Sequence, residues 1–522
     1  MGGPFSDGLL PREIDFARRE VVSFVEQIGD QFSPRGIGTE QFARMALLME
    51  TQIVVLGGGP GGYAAAFLAA DLGMRVVLVD AEPRLGGVCL LRGCIPSKAL
   101  LHVAKVMAEA KHLADWGVLY AAPSIAVDQL RSQKEKIIAT LSGGLKQLAA
   151  KRNVQVIHAK GSFADSRTLR LTPMGQGGAI PETIRFEHCI VAVGSSPTRI
   201  PAFDLPTPRI MDSTGALELA DVPESLLVVG GGYIGLEMGT VYAALGSRVT
   251  VVEMTDGLLP GADRDLVKPL QKALEKQFAA IHLNTKVVSI VDKKREIEVV
   301  LDGAEKQTLR FSRVLLSVGR RPNSAGLGLE NTKAKIDAKG FIQVDRRQRT
   351  DDPHISAIGD VAGEPMLAHK AAHEGKAAVE SLHGEPVEFA PRAIPAVVFT
   401  DPEIAWAGLT ETQAKQQGVS YESAVFPWAA SGRALAVGRT EGMTKWLVEP
   451  KSGRLLGCGI VGSGAGDLIG EAVLALEMGC SARDLTETIH PHPTLCETLG
   501  AAAEVFFGTA TDIYRPKRTA GR

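Results

Sequence analysis

The stretch QIVVLGGGPGG (residues 52–62) decides the fold, because an apolar strand runs there directly into a glycine turn. The stretch LLVVGGGYIG (226–235) repeats this construction 173 residues later. Each turn is followed by a helical stretch and then by a second strand, GMRVVLVD (73–80) or GSRVTVVE (246–253). Strand, glycine turn, helix and strand in this order are typical of a dinucleotide-binding unit. The sequence therefore predicts two Rossmann-like units within an α/β chain.

The three glycines of each turn have separate tasks. The first permits the tight turn, the second lets a pyrophosphate approach the backbone, and the third lets the helix pack on the strand. They are Gly57, Gly59 and Gly62 in the first unit and Gly230, Gly232 and Gly235 in the second. Because the N-terminus of each helix then faces the phosphates, we expect two dinucleotide sites.

An acid ends the second strand of each unit, 23 residues after the first glycine: Asp80 and Glu253. A carboxylate at this position is placed to accept hydrogen bonds from ribose hydroxyls. At Glu253 it would also repel a 2′-phosphate, and the segment EMTDG (253–257) contains no arginine. The second unit is therefore predicted to bind NAD in preference to NADP.

Two further strands end alike, CIVAVGSSP (189–197) and VLLSVGRRP (314–322), and we expect them to close the two units at Gly194 and Gly319. Beyond about residue 392 the pattern changes to alternating apolar strands and helices without a glycine fingerprint. This part is predicted to be an α+β domain.

Composition excludes several classes of function. The chain has 57 basic and 59 acidic residues and a formal charge of −2, so there is no basic excess for nucleic acid or an anionic membrane. No uninterrupted apolar stretch reaches the roughly 18 residues of a spanning helix, and a signal pattern is absent. We therefore expect a cytoplasmic protein without nucleic-acid or membrane partners. Six cysteines in 522 residues are too few for a disulfide scaffold.

Cys89 and Cys94, in GGVCLLRGCIPSK (86–98), form a candidate redox site. Their spacing does not suit a zinc ribbon, which makes a metal site the weaker interpretation. Residues five apart in an ideal helix have Cα atoms about 8.6 Å apart, whereas a disulfide needs roughly 4.4 to 6.8 Å. A redox disulfide therefore requires a distorted helix, for which Gly93 and Pro96 are suited.

Two unpaired core cysteines are the alternative interpretation of this pair. Arg92 and Lys98 argue against it, because nearby positive charge favours a thiolate. The other four cysteines form no spaced pair and are predicted to be small core residues: Cys189, Cys458, Cys480 and Cys496.

The segment HPHPTLCE (490–497) contains a candidate general base. A carboxylate five residues after His492, at Glu497, could set the tautomer and basicity of the imidazole. A structural histidine is the ordinary interpretation of such a residue, and only the cysteine pair upstream favours the catalytic one.

Taken together, these motifs resemble the FAD-dependent pyridine nucleotide-disulfide oxidoreductases. SAIGDVAG (356–363) and MLAHKAAHEG (366–375) add to the resemblance, which covers about residues 50 to 510. The motifs are most similar to those of members that oxidise protein-bound dihydrolipoamide. The resemblance implies a homodimer that binds FAD and NAD and serves lipoyl-bearing subunits of 2-oxoacid dehydrogenase or glycine cleavage complexes.

The resemblance also implies roles for single residues. The first fingerprint and Asp360 would bind FAD, and the second fingerprint would bind NAD. Cys89 would exchange with substrate and Cys94 would lie against the flavin. Lys98 and Glu237 would pair near the reactive nitrogen of the flavin. His492, oriented by Glu497, would be supplied by the other subunit. No metal is expected.

The implied division of the chain has five parts. They are an N-terminal extension (1–48), the first part of the FAD domain (49–199), an NAD domain (200–325), a central FAD part (326–391) and an interface domain (392–522). A start codon assigned too early is the alternative for residues 1–48, which have no counterpart in the family. Other disulfide reductases, of the glutathione or mercuric type, a flavin transhydrogenase and a non-catalytic flavoprotein subunit remain alternative functions.

Overall fold

The structure is a computed structural model, and it describes residues 48–175 and 180–514. The predicted N-terminal extension therefore lies outside the described residues, apart from Leu48.

The first nucleotide unit consists of β1 (Leu48–Leu56), α1 (Pro60–Asp71) and β2 (Val76–Asp80). Strands β1 and β2 are parallel, with Val54 opposite Val77, and all five residues of β2 are buried. An apolar run without alternation is typical of such a strand, because both faces of a parallel sheet are covered. β1 begins four residues before the quoted motif, because its first residues pair with a strand more than 130 positions away.

The cysteine segment follows β2 and forms two helices separated by one residue, α2 (Gly87–Arg92) and α3 (Cys94–His112). After a 3-10 turn at Leu113–Trp116 comes the long helix α4 (Val127–Lys151). Three strands then complete the unit: β3 (Gln155–Asp165), β4 (Thr168–Pro173) and β5 (Thr183–Val191). β5 lies parallel to β1, so the sheet of the first unit is built on β1 at its centre.

The second nucleotide unit is a five-stranded parallel sheet in the order β10, β9, β8, β14, β7. Its strands are β7 (Ile210–Met211), β8 (Ser225–Val229), β9 (Arg248–Val252), β10 (Ala280–His282) and β14 (Arg313–Leu316). Its helices are α5 (Ser213–Glu218), α6 (Tyr233–Leu245) and α7 (Arg264–Gln277). An antiparallel sheet is attached to it, formed by β11 (Lys286–Asp292), β12 (Ile297–Asp302) and β13 (Lys306–Phe311).

A two-stranded antiparallel ribbon joins the two units. It pairs β6 (Ser195–Pro197) with β15 (Arg320–Pro322), so that Ser195 lies opposite Pro322. The two closing segments predicted from the sequence therefore pair with each other after their strands end. The chain then returns to the first unit through β16 (Ile355–Ala357), which is parallel to β5, and α8 (Ala368–His383), which packs on α1.

The C-terminal part is a five-stranded antiparallel sheet in the order β17, β18, β21, β20, β19. Its strands are β17 (Ala396–Val398), β18 (Glu403–Gly408), β19 (Glu422–Pro427), β20 (Met443–Val448) and β21 (Leu455–Gly462). Its helices are α9 (Glu411–Gln417), α10 (Gly432–Ala436), α11 (Ala465–Met478), α12 (Ala482–Glu487) and α13 (Glu497–Phe507). Thr410 and Gln413 form a capping box that starts α9. The α/β fold with two nucleotide units and an α+β C-terminal domain is confirmed.

One hydrophobic cluster is shared by the three parts, beside separate clusters within each. The largest cluster of buried residues centres on the second unit, but it includes Leu100 and Leu101 of α3 and Val398 and Ile404 of the C-terminal sheet. Packing within this cluster therefore fixes the positions of the three parts relative to one another.

One helical stretch, Gly87–Trp116, is by length and composition apolar enough to cross a membrane. Core helices of soluble proteins have the same property, and this stretch carries both cysteines and packs against α4 and α6.

Candidate active site

The glycine turn of the first unit has one position that internal packing leaves open. A Cβ added at Gly57 would lie 2.4 Å from Ala192 O, and one at Gly62 would lie 1.8 Å from Gly57 O. At Gly59 the nearest atom would be 3.8 Å away. The first and third glycines are therefore needed by the fold, whereas the middle one borders free space.

The second unit repeats this arrangement. Added Cβ atoms at Gly230 and Gly235 would lie 2.5 Å from Ser317 O and 2.4 Å from Gly230 O, and one at Gly232 would meet nothing within 4 Å. Gly59 and Gly232 are also the N-caps of α1 and α6, and neither helix has a side-chain cap. Free amides beside an open backbone fit the diphosphates of FAD and NAD.

The two acids make matching contacts with these turns. Asp80 Oδ2 accepts a hydrogen bond from Gly58 N at 2.7 Å, and Glu253 Oε2 accepts one from Gly231 N at 2.7 Å. Asp80 is buried, and burial raises the pKa of its carboxyl. Glu253 is half-buried. Each carboxylate holds its glycine turn through this backbone hydrogen bond. Contact of the two carboxylates with a ribose stays a prediction.

The helix that carries the cysteines is broken between them. α2 ends at Arg92 and α3 begins at Cys94, and Gly93 between them has φ −145° and ψ −110°. A Cβ at Gly93 would lie 2.8 Å from Val88 O. The distortion that a disulfide requires therefore occurs at Gly93. Pro96 stands in the first turn of α3, a position that suits a helix that starts anew after Gly93.

Cys89 and Cys94 are free thiols, and each shifts the pKa of the other. Interaction with Cys89 lowers the pKa of Cys94 to about 7, and the Lys98 ammonium also lowers it. Interaction with Cys94, together with burial, raises the pKa of Cys89. Cys94 is therefore the more readily ionised thiol of the two.

Arg92 does not act as the sequence suggested. Its Nη2 lies 2.6 Å from Glu82 Oε1, and this contact lowers the pKa of Glu82. Because the two opposite charges are paired, the positive charge that favours a thiolate comes from Lys98, not from Arg92.

Lys98 and Glu237 are brought together from the two nucleotide units. Lys98 Nζ, on α3, lies 2.9 Å from Glu237 Oε2, on α6, and 139 positions separate them. Phe399 supports both residues, because its amide donates to Glu237 Oε1 at 3.0 Å and its ring centroid lies 4.5 Å from Lys98 Nζ. Phe399 was not predicted as a site residue, because no local motif marks it.

Asp360 lies in a 3-10 turn, Gly359–Val361, at the end of β16. Its Oδ2 accepts a hydrogen bond from Ser195 Oγ at 2.5 Å, and Ser195 Oγ accepts one from Arg320 Nε at 2.8 Å. Ser195 and Arg320 were not predicted as site residues. The repeated closing motif contained the signal, because both residues directly follow its glycine, at Gly194 and Gly319.

His492 and Glu497 form a pair at the start of α13. His492 Nδ1 lies 2.8 Å from Glu497 Oε1, and Glu497 Oε2 accepts a hydrogen bond from Thr494 N at 2.7 Å. Burial raises the pKa of Glu497, but these two hydrogen bonds outweigh it and lower the pKa. The carboxylate is thus held in place to orient the imidazole.

The imidazole of His492 is 79% exposed, and no hydrogen bond or ion pair among the described residues links it to the cysteines. The structural role that the sequence left open belongs to His490, whose Nε2 lies 2.7 Å from Glu471 Oε1 and whose side chain is 9% exposed.

The remaining cysteines divide into two groups. Cys189 and Cys458 are buried, and burial raises the pKa of both thiols. Cys480 is partly buried and packs against the core of the C-terminal part, whereas Cys496 is partly buried and is not among the residues of that core. Cys496 stands at the N-cap of α13 with its Sγ 2.9 Å from Thr494 Oγ1.

A cluster of acids lies apart from this site. Asp263, Asp265 and Glu411 place carboxylate oxygens within 4.8 Å of one another, as metal ligands do. The ammonium of Lys445 stands among them, at 2.7 to 3.0 Å from all three side chains. The cluster is therefore a buried ion-pair network joining α7 to the C-terminal sheet.

Comparison with known proteins agrees with this geometry. Residues 51–375 match the pyridine nucleotide-disulphide oxidoreductase domain, and residues 394–503 match the dimerisation domain of the same family. The dihydrolipoyl dehydrogenase of Haemophilus influenzae is 49% identical over 474 residues, 91% of this chain and 98% of that protein. That of Geobacillus stearothermophilus is 41% identical, over 89% of this chain and 98% of that protein.

Solved structures show the same fold. LpdA from Mycobacterium tuberculosis has a TM-score of 0.80 at 28% identity, over 87% of this chain and 99% of that chain. The HOCl-induced flavoprotein disulfide reductase RclA from Escherichia coli has a TM-score of 0.76 at 28% identity, over 86% of this chain and 98% of that chain. The dimerisation domain implies that two identical chains associate. This chain belongs to the pyridine nucleotide-disulphide oxidoreductase family.

Proposed function

We propose that the protein is a dihydrolipoyl dehydrogenase. It oxidises dihydrolipoamide to lipoamide and reduces NAD⁺ to NADH with release of one proton. The Cys89–Cys94 disulfide takes up the two electrons of the substrate dithiol and is itself reduced. The first glycine turn and Asp360 would hold FAD, which would supply the chemistry that links the reduced cysteines to hydride transfer to NAD.

Each proposed site residue has one task in this reaction. The partner subunit's His492 takes a proton from the substrate thiol, and the resulting thiolate attacks Cys89. The sulfur of Cys94 is the leaving group, and its lowered pKa suits that role. Glu497 orients the imidazole and stabilises its protonated form through a charge-assisted hydrogen bond. Lys98 and Glu237 form an ion pair between the two nucleotide units.

One observation carries this proposal. Of the free thiols Cys89 and Cys94, the second has the lowered pKa, and it lies four residues before Lys98, which pairs with Glu237 of the second unit. A metal site would need further ligands, and a structural pair of cysteines would not need the Lys98 charge. The substrate itself is inferred from relatives of 40 to 49% identity that bear the name dihydrolipoyl dehydrogenase.

The partners and the division of the chain belong to the same proposal. The protein would act as a homodimer in the cytoplasm, on lipoyl-bearing subunits of a 2-oxoacid dehydrogenase or glycine cleavage complex. Residues 49–199 and 326–391 would form the FAD part, 200–325 the NAD domain and 392–522 the interface domain.

A substrate panel tests the function. The purified protein is assayed for NAD and NADP reduction with dihydrolipoamide, and for NADH and NADPH oxidation with glutathione disulfide or Hg²⁺. We expect turnover with dihydrolipoamide and NAD, and none in Cys94→Ser. A higher kcat/KM with glutathione disulfide or Hg²⁺ would assign the protein to another branch of the family.

A further inference from the structure

The turn that carries Asp360 rests directly on helix α8. Gly359 has φ +72°, and a Cβ added there would lie 3.0 Å from the Cβ of Ala371 on that helix. The turn therefore approaches α8 about as closely as the atoms permit. Any group on α8 that contacts this turn also influences where the Asp360 carboxylate points.

Two charged residues on α8 make such contacts. Lys370 and Glu374 lie one helical turn apart with Nζ and Oε1 separated by 2.8 Å, and their side chains are only 6% and 5% exposed. Glu374 Oε2 accepts a hydrogen bond from Gly359 N at 2.7 Å, and Lys370 Nζ donates one to Gly363 O at 3.1 Å. The ion pair thus binds the backbone on both sides of Asp360.

The same helix also supports the first glycine fingerprint. A Cβ added at Gly375 would lie 2.7 Å from Gly61 O, and one at Gly61 would lie 2.9 Å from Ala371 O. Helix α8 therefore touches α1, whose N-terminus faces the pyrophosphate, and the Asp360 turn. The distance between the N-terminus of α1 and the Asp360 carboxylate therefore depends on the position of α8.

Stability alone does not account for a buried ion pair here. Two apolar residues of similar volume commonly give equal or greater stability than a buried pair of charges. What an apolar pair cannot supply is a directed acceptor for Gly359 N and a directed donor for Gly363 O. Burial raises the pKa of Glu374 while Lys370 and the Gly359 amide oppose that effect.

We propose that Lys370 and Glu374 are positioning residues of the FAD site. They hold the turn 359–363 so that Asp360 meets a ligand whose pyrophosphate lies at the N-terminus of α1. This inference rests on the proposed function only in that the first unit binds FAD, and it does not depend on the substrate.

The test replaces the charges while keeping the volume, in Lys370→Met/Glu374→Leu. FAD is removed from this variant and from the wild type, and its dissociation constant is measured by flavin fluorescence during reconstitution. We expect the dissociation constant to rise by about tenfold or more, because two directed hydrogen bonds to the turn are lost. The unfolding temperature of the apoprotein should stay close to that of the wild type.

Two controls make the measurement specific. Arg248→Met/Glu224→Gln removes an ion pair of 2.8 Å that is 68% and 81% exposed in the second unit, and it should leave FAD binding unchanged. Glu374→Gln keeps an acceptor for Gly359 N and should restore most of the affinity.

An unchanged dissociation constant in the double variant would overturn the inference and leave the proposed function intact. Should that variant not fold, the single variants Glu374→Leu and Lys370→Met decide, because each removes one of the two hydrogen bonds to the turn, and wild-type affinity in both would overturn the inference. A wild-type protein that neither contains nor takes up FAD would instead refute the proposed function.

Discussion

The two nucleotide units share one turn and differ in the segment after the second strand. In the first unit the acid at the strand end, Asp80, is buried, and the chain continues into the cysteine helix α2. In the second unit Glu253 is half-buried and is followed by Met254, which is 65% exposed. The hydrogen bond from the glycine turn to the acid is the same in both, at 2.7 Å.

This difference shows how one local construction serves two tasks. The turn and its acid position a dinucleotide, whereas the segment after the second strand decides what the unit does with it. A buried contact suits a cofactor that stays bound, and a half-exposed contact suits one that leaves after each turnover. The first unit carries the cysteine pair, and the acid of the second unit is the more exposed of the two.

The largest effect is expected from the cysteine helix of the first unit. Cys94→Ser should abolish turnover with dihydrolipoamide while FAD stays bound, because the thiolate is lost and the glycine turn is not touched. The wild-type protein should gain long-wavelength absorbance on two-electron reduction, from the Cys94 thiolate beside oxidised flavin. This absorbance should be absent in Cys94→Ser. Cys480→Ser, a half-buried cysteine outside the pair, is the matched control and should remain active. Persistence of the absorbance in Cys94→Ser would assign the wrong sulfur.

The next largest effect concerns a residue that neither nucleotide unit supplies. His492→Gln should lower kcat by about 100- to 10,000-fold, the range of a general base. Glu497→Gln should have a smaller effect, because a charge-assisted hydrogen bond contributes about 1.5 to 3 kcal/mol.

Hybrid dimers show which subunit supplies this base. When Cys94→Ser and His492→Gln chains are combined, a base supplied in trans leaves one site with both defects and one site with none. Activity should therefore return in the purified hybrid. A hybrid without recovered turnover would place the base in the same chain as its cysteines.

Substitutions of the middle glycines distinguish the ligand sites of the two units most directly. Gly59 and Gly232 have extended φ and ψ values that alanine can adopt, and an added Cβ would meet no protein atom closer than 3.8 Å. Gly59→Ala should weaken FAD binding and Gly232→Ala should raise the KM for NAD, each by about tenfold or more. Both proteins should unfold at close to the wild-type temperature. An effect of Gly232→Ala on FAD retention would contradict the assignment.

A smaller effect is expected at the acid of the second unit. Glu253→Ala removes the charge that opposes a 2′-phosphate and should narrow the preference for NAD over NADP by about tenfold, or 1.4 kcal/mol. The ratio of kcat/KM values for the two cofactors measures it. Equal kcat/KM values of the wild-type protein for NAD and NADP would show that Glu253 does not select NAD.

The smallest effect is expected on the pH at which the Cys94 thiol ionises. Because the pKa of Cys94 is lowered to about 7, its thiolate is present above that pH and is lost as the pH falls through it. The long-wavelength absorbance of the reduced protein should follow this titration. In Lys98→Met the midpoint should move upward, because the ammonium lowers the pKa of Cys94. An unchanged midpoint would exclude Lys98 as a cause.

The sequence predicted both nucleotide units because their features are local. A glycine with φ +111° at Gly57 and an acid 23 positions later lie within one strand, turn, helix and strand. The break at Gly93 was also predictable, since it follows from the reach of a disulfide. The pairing of Arg92 with Glu82 was not predicted, because the partner of a long side chain is not visible in a motif.

What the sequence by itself determined is the set of reactive groups and the backbone turns that hold nucleotides, because these depend on residues a few positions apart. Only the tertiary structure decided which groups meet. Lys98 reaches Glu237 across 139 positions, and Arg320 reaches Asp360 through Ser195. These contacts depend on how β6 pairs with β15 and how α3 packs on α6. Their partners are distant in the chain, so packing of the shared core selects them and local pattern cannot.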